Sequence, residues 1–283
     1  MPKLVAAGET LDSINREVFA GGKGLNQSIA AAQAGCRVRH IGAVGPDGEH
    51  LLATLRDHGV DTTGVERTET PSGHAFIQVD PNGQNAIVIH GGSNRRLHPQ
   101  QWGDALALAE PGDWILLQNE TNAIAQMIEA AAASKVSIAI NLAPAAPSVR
   151  DLPLHDVDVL IVNEAEACML AEAVSEDKAF ELLLARYPNS TIVMTLGKQG
   201  LRYATPDGKK GRQGAFEVEA VDETAAGDAF VGYFMAGLVA GQDIDTALLK
   251  GSAAGALAVT KAGAAPSIPS AEEVAQLMTG HQA

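Results

Sequence analysis

Trp114-Ile115-Leu116-Leu117-Gln118, Val136-Ser137-Ile138-Ala139-Ile140-Asn141, Val157-Asp158-Val159-Leu160-Ile161-Val162 and Thr191-Ile192-Val193-Met194-Thr195-Leu196 are four short, β-branched, almost wholly apolar runs. Between them lie segments with helical spacing at 121–134, 164–173 and 178–186. Runs of this length and composition read as strands buried on both faces. Strand and helix in strict alternation predict a parallel sheet with helices on either side. The same rhythm extends upstream, with a strand at 38–44 and helices at 24–34, 49–58 and 99–109. The expected fold class is a three-layer α/β/α domain with a mostly parallel central sheet, formed by residues 1–283 as a single domain.

Composition narrows the function. The 283 residues carry 20 Lys and Arg against 34 Asp and Glu, a formal charge of −14. Such an acid excess leaves no cationic stripe to displace counterions, so no nucleic-acid partner is expected. It does not exclude a nucleotide, because backbone N–H groups and metal ions hold phosphates locally. Cys36 and Cys168 are too few for a disulfide framework and read as buried thiols of a reducing compartment. The N-terminal apolar run is too short for a signal peptide, and none reaches the ~18 residues of a membrane span. The sequence therefore reads as cytoplasmic, with no membrane partner.

Two regions break the alternation. Residues 74–80 and 84–90 alternate in character around Pro81-Asn82-Gly83, as in a ribbon with an Asn-Gly turn. Joined by residues 11–19, they predict a small β-lid made of segments at about 8–20 and 72–92. In the last third, 201–204 and 216–219 read as antiparallel strands. Helices at 227–240 and 246–260, a Pro-containing loop at 263–269 and an amphipathic helix at 271–278 follow.

Three motifs carry chemistry. In Asp222-Glu223-Thr224-Ala225-Ala226-Gly227-Asp228 small residues open a long apolar helix. Ala225, Ala226 and Gly227 leave the free N–H groups of the helix start open to an anion such as a phosphoryl group in transfer. Asp228 beside them suits a base taking a proton from an attacking hydroxyl, or simply caps the helix. In Gly21-Gly22-Lys23-Gly24-Leu25-Asn26-Gln27 glycines permit close approach while Lys23 and Asn26 offer polar groups. The spacing is neither a Walker A loop nor a dinucleotide fingerprint. It suits a polyhydroxy ligand, or a glycine-rich helix entry with a solvated lysine. Asn141-Leu142-Ala143-Pro144-Ala145 and Asn163-Glu164-Ala165-Glu166 follow strands, where open α/β sheets bind ligands. Glu166 suits a Mg²⁺ ion held through water, or both glutamates merely favour the helix dipole.

Together with Ile89-His90-Gly91-Gly92-Ser93-Asn94, Thr195-Leu196-Gly197 and Val259-Thr260-Lys261-Ala262-Gly263-Ala264-Ala265-Pro266-Ser267, these segments resemble, in order, the ribokinase-like carbohydrate kinase family. The Asn-x-Ala-Pro-Ala run and the Gly-Ala-x-x-Ser tail are nearest to its ribose kinases. The resemblance implies a ribokinase-like fold and ATP-dependent phosphorylation of a sugar's primary hydroxyl, ribose at O5 foremost, with Asp228 as base and Ala225, Ala226 and Gly227 as anion hole. It implies that Gly22, Lys23, Asn26 and Glu120 contact sugar and that Asn163, Thr195, Gly197 and Gly227 contact ATP. It further implies Mg²⁺ at Glu166 and a monovalent cation, K⁺ by resemblance, at Asp222, Thr224, Ala258, Lys261, Gly263 and Ser267. A homodimer through the β-lid is the partner it implies.

The resemblance has gaps. The family's first core strand, ending in Gly-x-x-Asn-x-Asp, has no counterpart ahead of Gly8-Glu9-Thr10. The expectation is a central sheet lacking one strand and a sugar site lacking one aspartate. Ser252 stands where the nearest relatives often carry a ring beside adenine. The alternatives are a sugar- or nucleotide-binding protein of impaired catalysis, or a kinase for fructose, deoxyribose or adenosine.

Overall fold

The computed structural model describes residues 1–81 and 85–281. In chain order its elements are α1 (Lys23–Gln33), β1 (Arg39–Val44), α2 (Glu49–Asp57), β2 (Asp61–Arg67), β3 (His74–Val79), β4 (Asn85–His90), α3 (Pro99–Ala107), β5 (Trp114–Gln118), α4 (Ile124–Ser134) and β6 (Ser137–Asn141). There follow β7 (Val159–Asn163), α5 (Glu164–Ala171), α6 (Glu176–Arg186), β8 (Thr191–Thr195), β9 (Leu201–Ala204), β10 (Lys210–Gln213), α7 (Ala226–Val239), α8 (Ile244–Ala258) and α9 (Ala271–His281). The turn expected at Asn82-Gly83 lies outside the described residues.

A six-stranded sheet of order β10-β9-β8-β7-β6-β5 forms the middle layer. β5 to β8 run parallel, and β9 and β10 close the sheet antiparallel. Successive strand residues face opposite sides, and the two cores follow that period. Ile138, Ile140, Leu160, Val162, Ile192 and Met194 pack with Met127, Leu170 and Leu183 of α4, α5 and α6. Ala139, Val159, Ile161 and Val193 pack with Phe230, Phe234 and Leu248 of α7 and α8. Three layers result, as the alternation predicts.

β1 and β2 form a separate parallel pair, and no strand among the described residues joins β1 to β5. β2 escaped the sequence reading because its β-branched residues are flanked by charges, Asp61 at one end and Glu66-Arg67 at the other. It forms as the partner of β1, anchored by an Arg39–Asp61 ion pair at 2.9 Å.

Three expectations are corrected. Residues 216–219 form no strand: Phe216 is instead buried between α1, α7 and α8, and β9 takes the earlier segment Lys210–Gln213 as its partner. Residues 11–19 contribute no strand to the ribbon. Contacts with the ribbon come from further upstream, where the Met1 ammonium donates to Val79 O at 2.9 Å and Val5 N–H to Gln78 Oε1 at 3.0 Å. Cys36 and Cys168 are half-buried rather than buried.

One contact positions the site. α7 lies so close to α1 that a Cβ on Gly232 would stand 2.4 Å from Ala30 Cβ and 2.7 Å from Ala31 N. Gly232→Ala is expected to force the helices apart at an overpacking cost of about 1–3 kcal/mol. Urea denaturation checks this; an unchanged midpoint would mean that the helices do not depend on that approach.

Candidate active site

The site gathers at the carboxyl ends of the parallel strands and the start of α7. Gln118, Asn141, Asn163 and Thr195 are the last residues of β5, β6, β7 and β8, so four polar side chains end four apolar runs. Sheets of this kind bind ligands beyond those strand ends.

α7 begins where Ala225 takes a left-handed conformation at φ 61°. No side chain caps the helix, and Ala226 N–H reaches Glu223 O only at 3.4 Å. Among the described residues no hydrogen bond engages the Gly227 N–H. An uncapped helix start is an anion site that the dipole reinforces. Asp228 is 7% exposed, and it does not cap the helix with its side chain. Its Oδ2 accepts from Asn26 Nδ2 at 2.8 Å and its Oδ1 from Gln27 Nε2 at 2.9 Å. Burial raises its pKa, and the Lys23 charge and the two amide donors oppose that rise.

α1 starts at Gly22, whose φ of 101° admits glycine far more readily than any L side chain. That turn sets Lys23 among three carboxyls. Its N–H donates to Glu120 Oε2 at 3.3 Å, and its charge lowers the pKa values of Glu120, Glu166 and Asp228. Burial outweighs the lysine, so all three remain raised. Asn26 Oδ1 is buried and has no hydrogen-bond partner among the described residues.

Asn163 and Glu166 cap α5 reciprocally: Asn163 Oδ1 accepts from Glu166 N–H at 2.8 Å, and Glu166 Oε2 from Asn163 N–H at 2.9 Å. The helix-start role is therefore real. It occupies one Glu166 oxygen, and a single carboxylate with a spare oxygen fits a Mg²⁺ ion that keeps most of its water. Thr195 and Gly197 lie at the end of β8 and in the turn after it, Gly197 with φ 52°.

Beside the α7 start, Asp222 ties two loops together. Its Oδ1 accepts from Thr224 N–H and its Oδ2 from Gly263 N–H, each at 2.9 Å. Burial pushes its pKa up, but the hydrogen bonds from Thr224 and Gly263 prevail and hold it below the usual carboxylate value. Ser267 is fully buried with its hydroxyl on Ala264 O at 2.8 Å. The Lys261 ammonium turns to Glu273 of α9 at 2.6 Å, so its side chain is engaged there. Ala258 O accepts the Lys261 N–H at 3.2 Å. A carboxylate and nearby loop oxygens are the donor chemistry that a hard monovalent cation takes.

Sequence reading missed Gln27, Gln118 and His40. Gln27 is 1% exposed beneath the glycine motif. Gln118 Nε2 donates to Gln27 Oε1 at 2.8 Å. His40 contacts Ser28 Oγ through Nδ1 at 2.8 Å, and burial depresses its pKa to about 4, so the ring is neutral at physiological pH. The available signal was Gln118: an uncharged polar residue closing an otherwise apolar strand.

The pfkB family carbohydrate kinase model matches residues 2–271. The chain belongs to this family. It is a carbohydrate kinase, a phosphotransferase with an alcohol as acceptor. Ribokinase of Haemophilus influenzae is 34% identical, over 98% of this chain and 93% of its own length. A ribokinase from Cryptococcus neoformans in complex with ADP superposes with a TM-score of 0.87 at 32% identity, covering 97% of this chain and 94% of that one. Arabidopsis thaliana ribokinase complexed with ribose and ATP gives 0.83 at 25%, covering 98% and 93%. The pfkB kinase fold is thus the three-layer sandwich described above. No helix among its described residues is long and apolar enough to cross a membrane.

Asp222→Ala is expected to free the Thr224 and Gly263 N–H groups and cost about 1–3 kcal/mol of stability at neutral pH. A carboxyl held below its unfolded value stabilises above that value and loses the effect as pH falls through the folded one. Chemical denaturation as a function of pH checks this: the gap between wild type and variant is full at pH 7 and closes in acid.

Proposed function

We propose that this kinase transfers the γ-phosphoryl group of ATP to the primary hydroxyl of ribose, giving ribose 5-phosphate. The observation that carries the reading is Asp228, a carboxylate held by two amides of α1 at an uncapped helix start. The ribose and ATP bound by the Arabidopsis relative supply the substrate class.

In this reading the sugar lies along Gly22, Lys23, Asn26 and Glu120. Asp228 accepts the proton of the attacking hydroxyl, whose oxygen forms the new bond to the γ-phosphorus as the bond to ADP breaks. N–H groups at Ala226 and Gly227 face the charge on the transferring group, with Ala225 shaping the turn. Lys23 balances the phosphate charge from the sugar side. Asn163, Thr195, Gly197 and Gly227 serve the nucleotide at the strand ends. Glu166 would hold Mg²⁺ through water, and the bound ion would supply neutralising charge to the phosphates. Asp222, with oxygens from Thr224, Ala258, Lys261, Gly263 and Ser267, would hold a monovalent cation, K⁺ by resemblance, which would add positive field to the anion hole.

The ribbon of β3 and β4 has the role of a lid and of a dimer surface. Ala75, Ile77 and Val79 share one face with Ile87 and Ile89, and this apolar face is open to water. A two-stranded ribbon is marginal alone, so a second copy covering that face is the simplest remedy. Sedimentation velocity is expected to give a dimer for wild type and a monomer for Ile87→Asp; equal sedimentation of the two would remove the ribbon from the interface.

Asp228→Asn is expected to lower kcat by about a hundred- to ten-thousand-fold, the usual worth of a positioned base. ATP binding by calorimetry stays within about twofold. An ADP-release assay with ribose reads the first; turnover near wild type would overturn the role given to Asp228.

A further inference from the structure

Asp228 is held by more than the residues that meet substrate. Gln27 Nε2 lies 2.9 Å from Asp228 Oδ1 and 3.0 Å from Asn141 Oδ1, so both neighbours of that nitrogen are acceptors. On the other side Gln118 Nε2 donates to Gln27 Oε1 at 2.8 Å. The amide therefore has one workable orientation. Flipped, it would set an oxygen against the carboxylate and its NH₂ against another NH₂. A chain of amides runs from the end of β5, through the buried floor of α1, to the first turn of α7.

We propose that Gln27, locked by Gln118, is a positioning residue for Asp228: it fixes the carboxylate's rotation and keeps it ionised for proton abstraction. This rests on Asp228 being the base. The physical ground is the cost of a buried carboxylate, which is offset only by donors aimed at it. Asp228 has two amide donors in the chain, Asn26 and Gln27. Asn26 belongs to the sugar side only in the proposed function, whereas Gln27 is 1% exposed and its side chain is bonded to protein groups at both ends. The charged groups facing the carboxylate are Lys23 of α1 and Glu120 from the loop after β5. Lys23 also serves Glu120 and Glu166, so its field is shared. Lys250 of α8 stands over the Tyr233 ring, 5.9 Å from its centroid, and not at the carboxylate.

The test is the pH profile of kcat/KM for the full chain with ribose and ATP. Gln27→Glu keeps the shape and puts a carboxyl against a carboxylate; Gln118→Leu leaves Gln27 in place but unlocks its amide. A base with less donation, or with a like charge beside it, is harder to ionise. The acid limb is then expected to move to higher pH in both variants, further in Gln27→Glu. Expressed as activity, Gln27→Glu loses about tenfold or more at pH 6 and about twofold at pH 9, with KM for ATP unchanged. A purely structural role predicts instead an equal loss at every pH. Superimposable limbs, or a loss independent of pH, would overturn the proposal. Asp228→Asn, run alongside, separates the two readings: if that variant is active, the base assignment fails. If it is dead while the limbs do not move, only the role of Gln27 fails. Circular dichroism melts establish that each variant is folded.

Discussion

A carboxylate taken out of water is among the least tolerated groups in a protein interior, at a cost of several kcal/mol unless donors and charge surround it. Asp228 is such a group, and the architecture around it provides what it needs. α1 brings two side-chain amides and a lysine, α7 brings a helix start, and the closeness of the two helices at Gly232 decides whether these parts meet. The glycine motif thus has two layers. Gly22 and Lys23 lie at the surface end of the motif, while Asn26 and Gln27 are buried and both donate to Asp228. In the proposed function the same turn of helix serves both the sugar and Asp228.

Sheet and site are joined through the strand ends. Parallel strands buried on both faces are apolar along their length, and polarity returns only where the chain leaves the sheet. Gln118, Asn141, Asn163 and Thr195 mark that line. The loops past β8 and before α7 complete the site, and Asp222 fastens the second of these to the turn at Gly263. A carboxylate that spends both oxygens on backbone N–H groups fixes the approach to the α7 start. Changes at Asp222 or Gly263 would therefore reach the start of α7.

Much of this was legible from the residues. Buried parallel strands announce themselves by length and branching, and the motif at 222–228 announces itself by small residues before an apolar helix. The ribbon was legible from its alternation. Three features were not. β2 is a strand because β1 offers an edge, and Thr62, Thr63 and Val65 among charges do not declare this locally. Residues 216–219 alternate like a strand, yet burying Phe216 among the helices outweighed a ladder. Gln27 reads as one more helix residue, because its meaning depends on partners 91, 114 and 201 positions away. Sequence periodicity reports which face a residue occupies and not whom it meets there. Glu164 and Glu166 read from sequence as first-turn acids or, for Glu166, as a Mg²⁺ holder; the reciprocal cap between Asn163 and Glu166 is what the structure adds, and it leaves one Glu166 oxygen without a hydrogen bond among the described residues.

The central claim is that sugar hydroxyl and terminal phosphate meet where Asp228 and the α7 start converge. The most direct measurement is a crystal structure of the protein with ribose and a non-hydrolysable ATP analogue. The expected result is the sugar's primary hydroxyl within hydrogen-bond reach of an Asp228 oxygen, with the γ-phosphate against the N–H groups of Ala226 and Gly227. A sugar bound elsewhere, or an Asp228 carboxyl turned from both ligands, would contradict it.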